Sequence, residues 1–390
     1  MRSASATLTP FVQIADVVGA DKIYNPRQPY ETTGISPDGD AACDSLTGAH
    51  HLVAAGPLRV ICHRDAAAPA ALELLAIAGH AVEAEPLVYA DREDYEALLG
   101  AADDGEVVYQ HAQPLSGARP ETYAVERDVL LRLTNKGRLH ELVPAEHLPR
   151  RRGIPTRGLV DAVSPDELPL VVKAACDESL GGGDGVRICR TQADVAAAAR
   201  DFRAAPEVVV EEWLEVVSNW CVNFALAPGE PVRYLGAAEQ IVSSAGVYEG
   251  SRIGRAAPVD VVCVGRSIAE AVRGEGYRGI AGFDIVRAAD GRTVALDLNC
   301  RLNACTAALL LRHDLEERSG SEAMLAGSWE TGLDDSALLG RVAELVDRRI
   351  LVPTGSFLPR AGVRRLWGVV LGDRWSDALA SVLRVRAALA

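Results

Sequence analysis

At 390 residues the chain is too long for one ordinary domain, so two or three are expected. With 48% apolar and 24% charged residues it has the balance of a globular protein rather than a disordered one. A net charge of −14 argues against nucleic acid or an anionic membrane as main partner, yet leaves room for a local cation cluster holding a phosphate.

The opening segment, residues 1–21, has no long apolar core after its arginine, so no signal peptide is read. No run of eighteen apolar residues follows, so no membrane span is expected. Residues 1–50 are rich in turn signals, such as Tyr24-Asn25-Pro26 and Ser36-Pro37-Asp38-Gly39, and read as irregular. The adjacent His50–His51 falls in this stretch and is taken as surface. Strands are expected at 58–62, 82–87 and 106–109, with helices at 69–79 and 91–99 between them. That alternation is a small open α/β layer. An amphipathic helix is expected over 128–142, and the basic, proline-bearing stretch 148–158 reads as a linker.

From about 156 the texture becomes strand-rich. Strands are expected at 170–174, 186–189, 208–214, 221–227 and 232–240, with a helix at 193–204. Residues 280–287 and 293–298 read as a hairpin turning at Asp290-Gly291. A strand at 367–371 and a helix from 376 to about 385 close the chain. The eight cysteines, at 43, 62, 176, 189, 221, 263, 300 and 305, contain no CxxC. Reduced, mostly buried thiols in a cytoplasmic protein fit that spacing.

Only three of the forty basic residues are lysine: Lys22, Lys136 and Lys173. Arginine is the generic cation of this chain, so a lysine marks a place where a compact ammonium is wanted. Lys173 closes the apolar run Leu170-Val171-Val172, where an unpaired ammonium is costly and a phosphate would justify it. Immediately after comes Ser179-Leu180-Gly181-Gly182-Gly183-Asp184-Gly185, between two strands. It lacks the helix N-terminus that a Walker loop or dinucleotide fingerprint requires. Taken alone it fits a flexible surface hairpin better than a phosphate flap. Lys173 tips the reading toward a flap whose backbone N–H groups cover a triphosphate.

The strand 207–210 runs into Glu211-Glu212-Trp213-Leu214. Two carboxylates and two large apolar groups can build an adenine slot, with Glu211 accepting from the exocyclic amine; a solvated strand end is the other reading. In the hairpin, alternation along its second strand puts Asp297, Asn299 and Arg301 on one face. Asp284 reaches that face from the paired strand. Two carboxylates and an amide oxygen are hard ligands suited to magnesium carrying ATP phosphates. Arg301 is placed to stabilise charge on a transferring phosphoryl group. The segment 240–254 reads as a substrate loop, with Ser243, Ser244, Tyr248 and Arg252 as contacts; Asn303 is a further candidate.

Over about 130–315 this order of parts resembles the ATP-grasp superfamily, which includes the peptide-forming ligases of bacterial secondary metabolism. The resemblance implies that Lys136 and Lys173 contact ATP phosphates and that Leu296 floors the adenine. Asp297, Asn299 and Arg301 then hold two magnesium ions and the reacting acyl phosphate. It also implies a mixed α/β and α+β fold: a small open α/β domain over 1–125, then an ATP-grasp domain over 126–320. Two α+β subdomains would clamp ATP, the lid lying at about 156–215, and residues 321–390 would pack on the grasp domain. Two departures stand out. Asp297 occupies a position where glutamate is usual, and the ribose-binding acid is missing around Val217-Ser218-Asn219. The expected reaction is ATP-dependent activation of a carboxylate as an acyl phosphate, followed by attack of an amine. A thioester formed on an acyl carrier protein and a non-catalytic ATP-binding module are the alternatives, and a homodimer is left open.

Overall fold

The computed structural model describes residues 7–30, 35, 39–114, 118–177, 185–243, 246–360 and 362–390. Three sheets organise them. The first holds four short parallel strands: β1 (Ile23–Asn25), β2 (Arg59–His63), β3 (Leu87–Tyr89) and β4 (Val107–Tyr109), in the order β3-β2-β1-β4. Val107, Val108 and Tyr109 are all buried, the continuous apolar run that a parallel strand covered on both faces demands.

The second sheet is antiparallel: β5 (Arg151–Pro155), β6 (Leu170–Ala175), β7 (Val186–Cys189) and β8 (Glu207–Glu212), in the order β5-β8-β6-β7. Its inner face carries Val172, Ala174, Val208 and Val210 against Val195, Ala198 and Phe202, around the helix Gln192–Asp201.

The third sheet has eight antiparallel strands: β9 (Val216–Leu226), β10 (Arg233–Val242), β11 (Tyr248–Ile253), β12 (Gly279–Ala288), β13 (Thr293–Asn299), β14 (Ala323–Thr331), β15 (Leu351–Arg360) and β16 (Val363–Gly372). The order is β13-β12-β9-β10-β11-β14-β16-β15. The helix Val259–Gly274 lays Val261, Val264, Ile268 and Val272 on Val222, Phe224, Phe283 and Ile285. Each fully buried aliphatic side chain there contributes about 1.5–3 kcal/mol. Gly265 permits the close approach, since a Cβ at that position would stand 3.0 Å from the Phe224 ring. Among the described residues no helix is long and apolar enough to cross a membrane.

Several sequence expectations change. The described part of residues 1–50 is not all irregular: it supplies β1 and the helix Gly39–Thr47. The strand expected at 82–87 forms instead at Leu87–Tyr89, because Pro86 removes a ladder donor. The helix expected over 128–142 breaks at Asn135. The α-helix Arg127–Thr134 ends there and a 3₁₀ segment, Lys136–Glu141, begins with the Asn135 side chain accepting from the Gly137 N–H at 2.9 Å. The stretch expected as linker contains β5, paired along its length with β8 from Arg151↔Glu211 to Pro155↔Glu207. The segment 240–254 is largely the β10–β11 hairpin rather than a loop.

Candidate active site

One cleft, with a volume of about 940 Å³, opens between the three sheets. One end lies under the second sheet and the chain that leaves it. There Val171 and Ile188 face Val286 and Leu296 across the gap, with Glu212, Trp213 and Leu214 along one side. Leu296 packs on Leu214, Val286, Ala288 and Val294, which gives the slot an apolar floor. Strict alternation would turn Leu296 away from Asp297. A bulge prevents this: Asp284 pairs with Asp297 but Ile285 pairs with Ala295, leaving Leu296 as the extra residue.

The bulge also supplies a carbonyl. Lys173 Nζ donates to Leu296 O at 2.8 Å and meets Glu211 Oε2 at 2.6 Å, and both side chains are nearly inaccessible, at 7% and 2%. Glu211 is therefore an ion-pair partner of Lys173 through Oε2, while its Oε1 has no hydrogen-bond partner. The ammonium argued above to need a phosphate already has a counter-ion.

Glu212 is engaged elsewhere. Its carboxylate accepts from Arg150 N at 2.8 Å, Arg150 Nε at 2.9 Å and Arg292 Nη1 at 2.7 Å, tying the start of β5 to the β12–β13 turn. The Arg292 guanidinium, helped by Arg150 and against the effect of partial burial, holds the Glu212 carboxyl at about 2. Because the folded value lies below the ordinary one, this clasp stabilises the fold above pH 4.5 and is lost as pH falls toward 2. Glu212→Gln should cost about 1–3 kcal/mol at pH 7. Thermal melts at pH 7 and near pH 2.5 check this: the difference from wild type should shrink at the lower pH.

Deeper in the cleft stand Asp284, Asp297, Asn299 and Arg301, with Lys136 reaching in from the 3₁₀ segment. Lys136 Nζ pairs with Asp297 Oδ2. Gln240 Nε2 donates to Asp284 Oδ1 at 2.7 Å, and Asn299 Nδ2 lies 3.2 Å from Asp284 Oδ2. Burial, then the neighbouring Asp297 charge, push the Asp284 carboxyl up to about 6. Burial acts on Asp297 in the same sense, yet Lys136 and Lys173 hold it below the usual carboxylate range. Two opposed carboxylates, one reluctant to ionise, form a donor set that a divalent cation fits. Among the described residues no three His, Cys, Asp or Glu side chains gather as a closed metal cage. Two carboxylates with vacant directions instead suit magnesium that keeps phosphate oxygens and water as its other ligands.

Ser179, Gly181, Gly182, Gly183 and Ser244 lie outside the described residues. Ser243 lines the cleft, but its hydroxyl accepts from Val247 N at 3.2 Å and shapes the turn. Tyr248 lines the cleft too, its hydroxyl paired with Ser251 Oγ at 2.9 Å. Arg252 does not line the cleft: it faces Glu239 across the β10–β11 pair at 3.6 Å. Asn303 reaches the cleft while its amide is committed to Asn223 and Cys305, next to the start of the helix Thr306–Ser319.

At the opposite end the lining comes from the carboxyl edge of the first sheet, through Gln28, Gln110 and His111, and from Trp367 and Arg365 of β16. The crevice beyond the carboxyl ends of parallel strands is where such sheets bind ligands. His50 and His51 line this end as well and are buried, at 7% and 3%, rather than on the surface. Burial holds His50 at about 4 and His51 and His111 well below the ordinary value, so all three are neutral at pH 7.

Asn219, Gln240 and His111 line the cleft, and Arg151 stands behind it against Glu211, although the sequence pattern marks none of them as part of the site. Arg151 sits in the run Arg150-Arg151-Arg152, where nothing separates it from its neighbours. In the sequence Gln240 marks only the start of a loop, and Asn219 only a departure from an expected acid.

Comparison with known proteins adds two findings. A profile described as the ATP-grasp domain of L-aspartate–L-methionine ligase matches residues 149–299, and one for that ligase's N-terminal domain matches 13–131. Among solved structures, N5-carboxyaminoimidazole synthetase from Staphylococcus aureus complexed with ADP superposes with a TM-score of 0.60 at 10% identity, covering 98% of this chain and 99% of that one. An L-amino acid ligase from Bacillus licheniformis gives 0.55 at 13% identity, covering 94% and 96%. At such identities the structural matches speak for the fold.

Proposed function

This chain belongs to the ATP-grasp carboxylate–amine ligases, ATP-dependent and ADP-forming enzymes, and from that premise we propose that it joins L-aspartate to L-methionine. The pairing of profiles over two separate stretches supports this choice of substrates. The observation that carries it is the cleft itself, which continues from the apolar slot past the carboxylates to a second, polar end. Leu46, Ala49 and Trp367 offer apolar surface to a thioether there, and Arg301 and Arg365 offer charge to a carboxylate.

In this reading the adenine lies between Ile188 and Leu296, beside Trp213 and Leu214. Lys136 and Lys173 bind the phosphates. Asp284, Asp297 and Asn299 would hold magnesium, which neutralises phosphate charge when bound. A carboxylate oxygen of aspartate attacks the γ-phosphorus and the bond to the β-phosphate oxygen breaks, leaving ADP and an acyl phosphate. Arg301 stabilises the charge on the transferred group, mainly by position and electrostatics. The methionine nitrogen, as the neutral amine, attacks the acyl carbon, phosphate departs with the bonding pair, and the proton released from nitrogen passes to the departing phosphate or to water. The chain divides in this account into an N-terminal domain to about 125, a grasp domain to about 320 with its lid sheet, and a C-terminal segment that completes the large sheet.

The test is ADP release and product mass with ATP, magnesium and amino acids supplied in pairs. Aspartate plus methionine should give ADP and a dipeptide, with neither alone doing so. Turnover on another acid and amine, with background release on this pair, would overturn the assignment of substrates.

A further inference from the structure

Glu211 lies between two cations. Lys173 Nζ stands 2.6 Å from its Oε2, and Arg151 Nη1 stands 3.6 Å from its Oε1. The side chains of all three are buried, at 2% exposed for Glu211, 7% for Lys173 and 10% for Arg151. The two atoms that face each other across the longer gap, Arg151 Nη1 and Glu211 Oε1, are inaccessible and have no hydrogen-bond partner. Arg151 is held beside them by its other nitrogen, which donates to the Lys136 carbonyl. Register reinforces the placement, since Arg151 and Glu211 are direct partners across β5 and β8, and Val171 opposite Glu211 sets Lys173 two residues along β6.

This arrangement poses an electrostatic problem. A phosphate at Lys173 competes with Glu211 for the same ammonium, and a buried carboxylate that loses its partner is strongly disfavoured. Without a substitute, Glu211 would hold Lys173 back and weaken nucleotide binding.

We propose that Arg151 is a positioning residue that releases Lys173 to ATP by taking over Glu211 as the lysine turns to the phosphates. A shift of under an ångström brings Arg151 Nη1 into hydrogen-bond range of Glu211 Oε1. The lysine then meets ATP without leaving an uncompensated acid behind it. The same movement acts on the Lys136 backbone, so both phosphate lysines are linked through one guanidinium. This inference rests on the phosphate role of Lys173 proposed above.

The experiment is calorimetric binding of a non-hydrolysable ATP analogue to the full chain, with a thermal midpoint recorded for every variant. Lys173→Ala comes first: unchanged binding would remove the phosphate role itself, and with it the inference. With that role standing, Arg151→Gln should weaken binding about tenfold or more, the scale of a close charge pair. Glu211→Gln should leave affinity unchanged or raise it, since nothing then restrains Lys173. The double variant Arg151→Gln/Glu211→Gln should recover most of the loss, and Arg151→Lys should lie between. Tenfold weaker binding in Glu211→Gln would overturn the inference and return Glu211 to the adenine. So would an unaffected Arg151→Gln, or a double variant no better than it, which would mean that Arg151 touches the nucleotide directly. Should Arg151→Gln not fold, the Glu211→Gln and Arg151→Lys results alone decide the matter.

Discussion

Asp297→Asn is expected to reduce turnover by roughly a hundredfold to a thousandfold, the scale seen when one preorganised electrostatic group is removed from a reacting centre. The substitution keeps the shape of the side chain and removes its charge. Two interactions go with that charge: the ion pair to Lys136 and the half of the anionic pair that opposes Asp284. The fold should survive, because removing one of two facing carboxylates also relieves the repulsion that, after burial, pushes the Asp284 carboxyl up to about 6. Magnesium titration of ADP release, with manganese binding followed independently by paramagnetic resonance, measures the effect. A magnesium dependence and manganese affinity equal to wild type would remove Asp297 from the metal site.

Lys173→Ala is expected to lower kcat/KM for ATP by a similar factor, about 10²–10³, through weaker nucleotide binding and slower transfer. Here the structural cost is the more instructive part. Removing one member of a buried ion pair typically costs about 3–5 kcal/mol because the other is left uncompensated. Arg151 stands 3.6 Å from Glu211 and can assume that role, so the loss should fall below that range. Kinetics give the first quantity and denaturant unfolding the second. Near-normal kcat/KM would sink the phosphate assignment, and a full 3–5 kcal/mol loss would show that Arg151 gives Glu211 no cover.

Glu212 and Glu211 show why a site is harder to read than the strand that carries it. In the sequence both acids read as parts of one adenine slot. The apolar run before them correctly announces a strand, since Val208, Val209 and Val210 belong to β8. What each carboxylate does depends on partners far along the chain. Glu211 meets Lys173 and Arg151, whereas Glu212 meets Arg150 and Arg292. Adjacent residues on a strand point to opposite faces, so they answer to different neighbours.

Local patterning by itself determined a good deal. The period of two along β13 put Asp297 and Asn299 together, with Arg301 just beyond the strand in the same cleft, and the Asp290-Gly291 turn brought Asp284 opposite Asp297, because hairpin pairing is a short-range matter. The order of lysines, glycines, the Glu211–Leu214 slot and the hairpin acids along the chain was enough to point to an ATP-grasp ligase. Only the tertiary structure decided the rest. It broke the helix at Asn135, so that Lys136 turns toward Asp297; it bulged Leu296 into the slot; and it made β5 from a stretch that reads as a linker. It also buried His50 and His51 against a cleft whose walls include Trp367 and Val369, more than three hundred residues away. The physical reason is the same in each case. Periodicity tells which face a side chain occupies, but the energy of a buried charge, ring or bulge is set by what packs against that face, and those contacts are non-local.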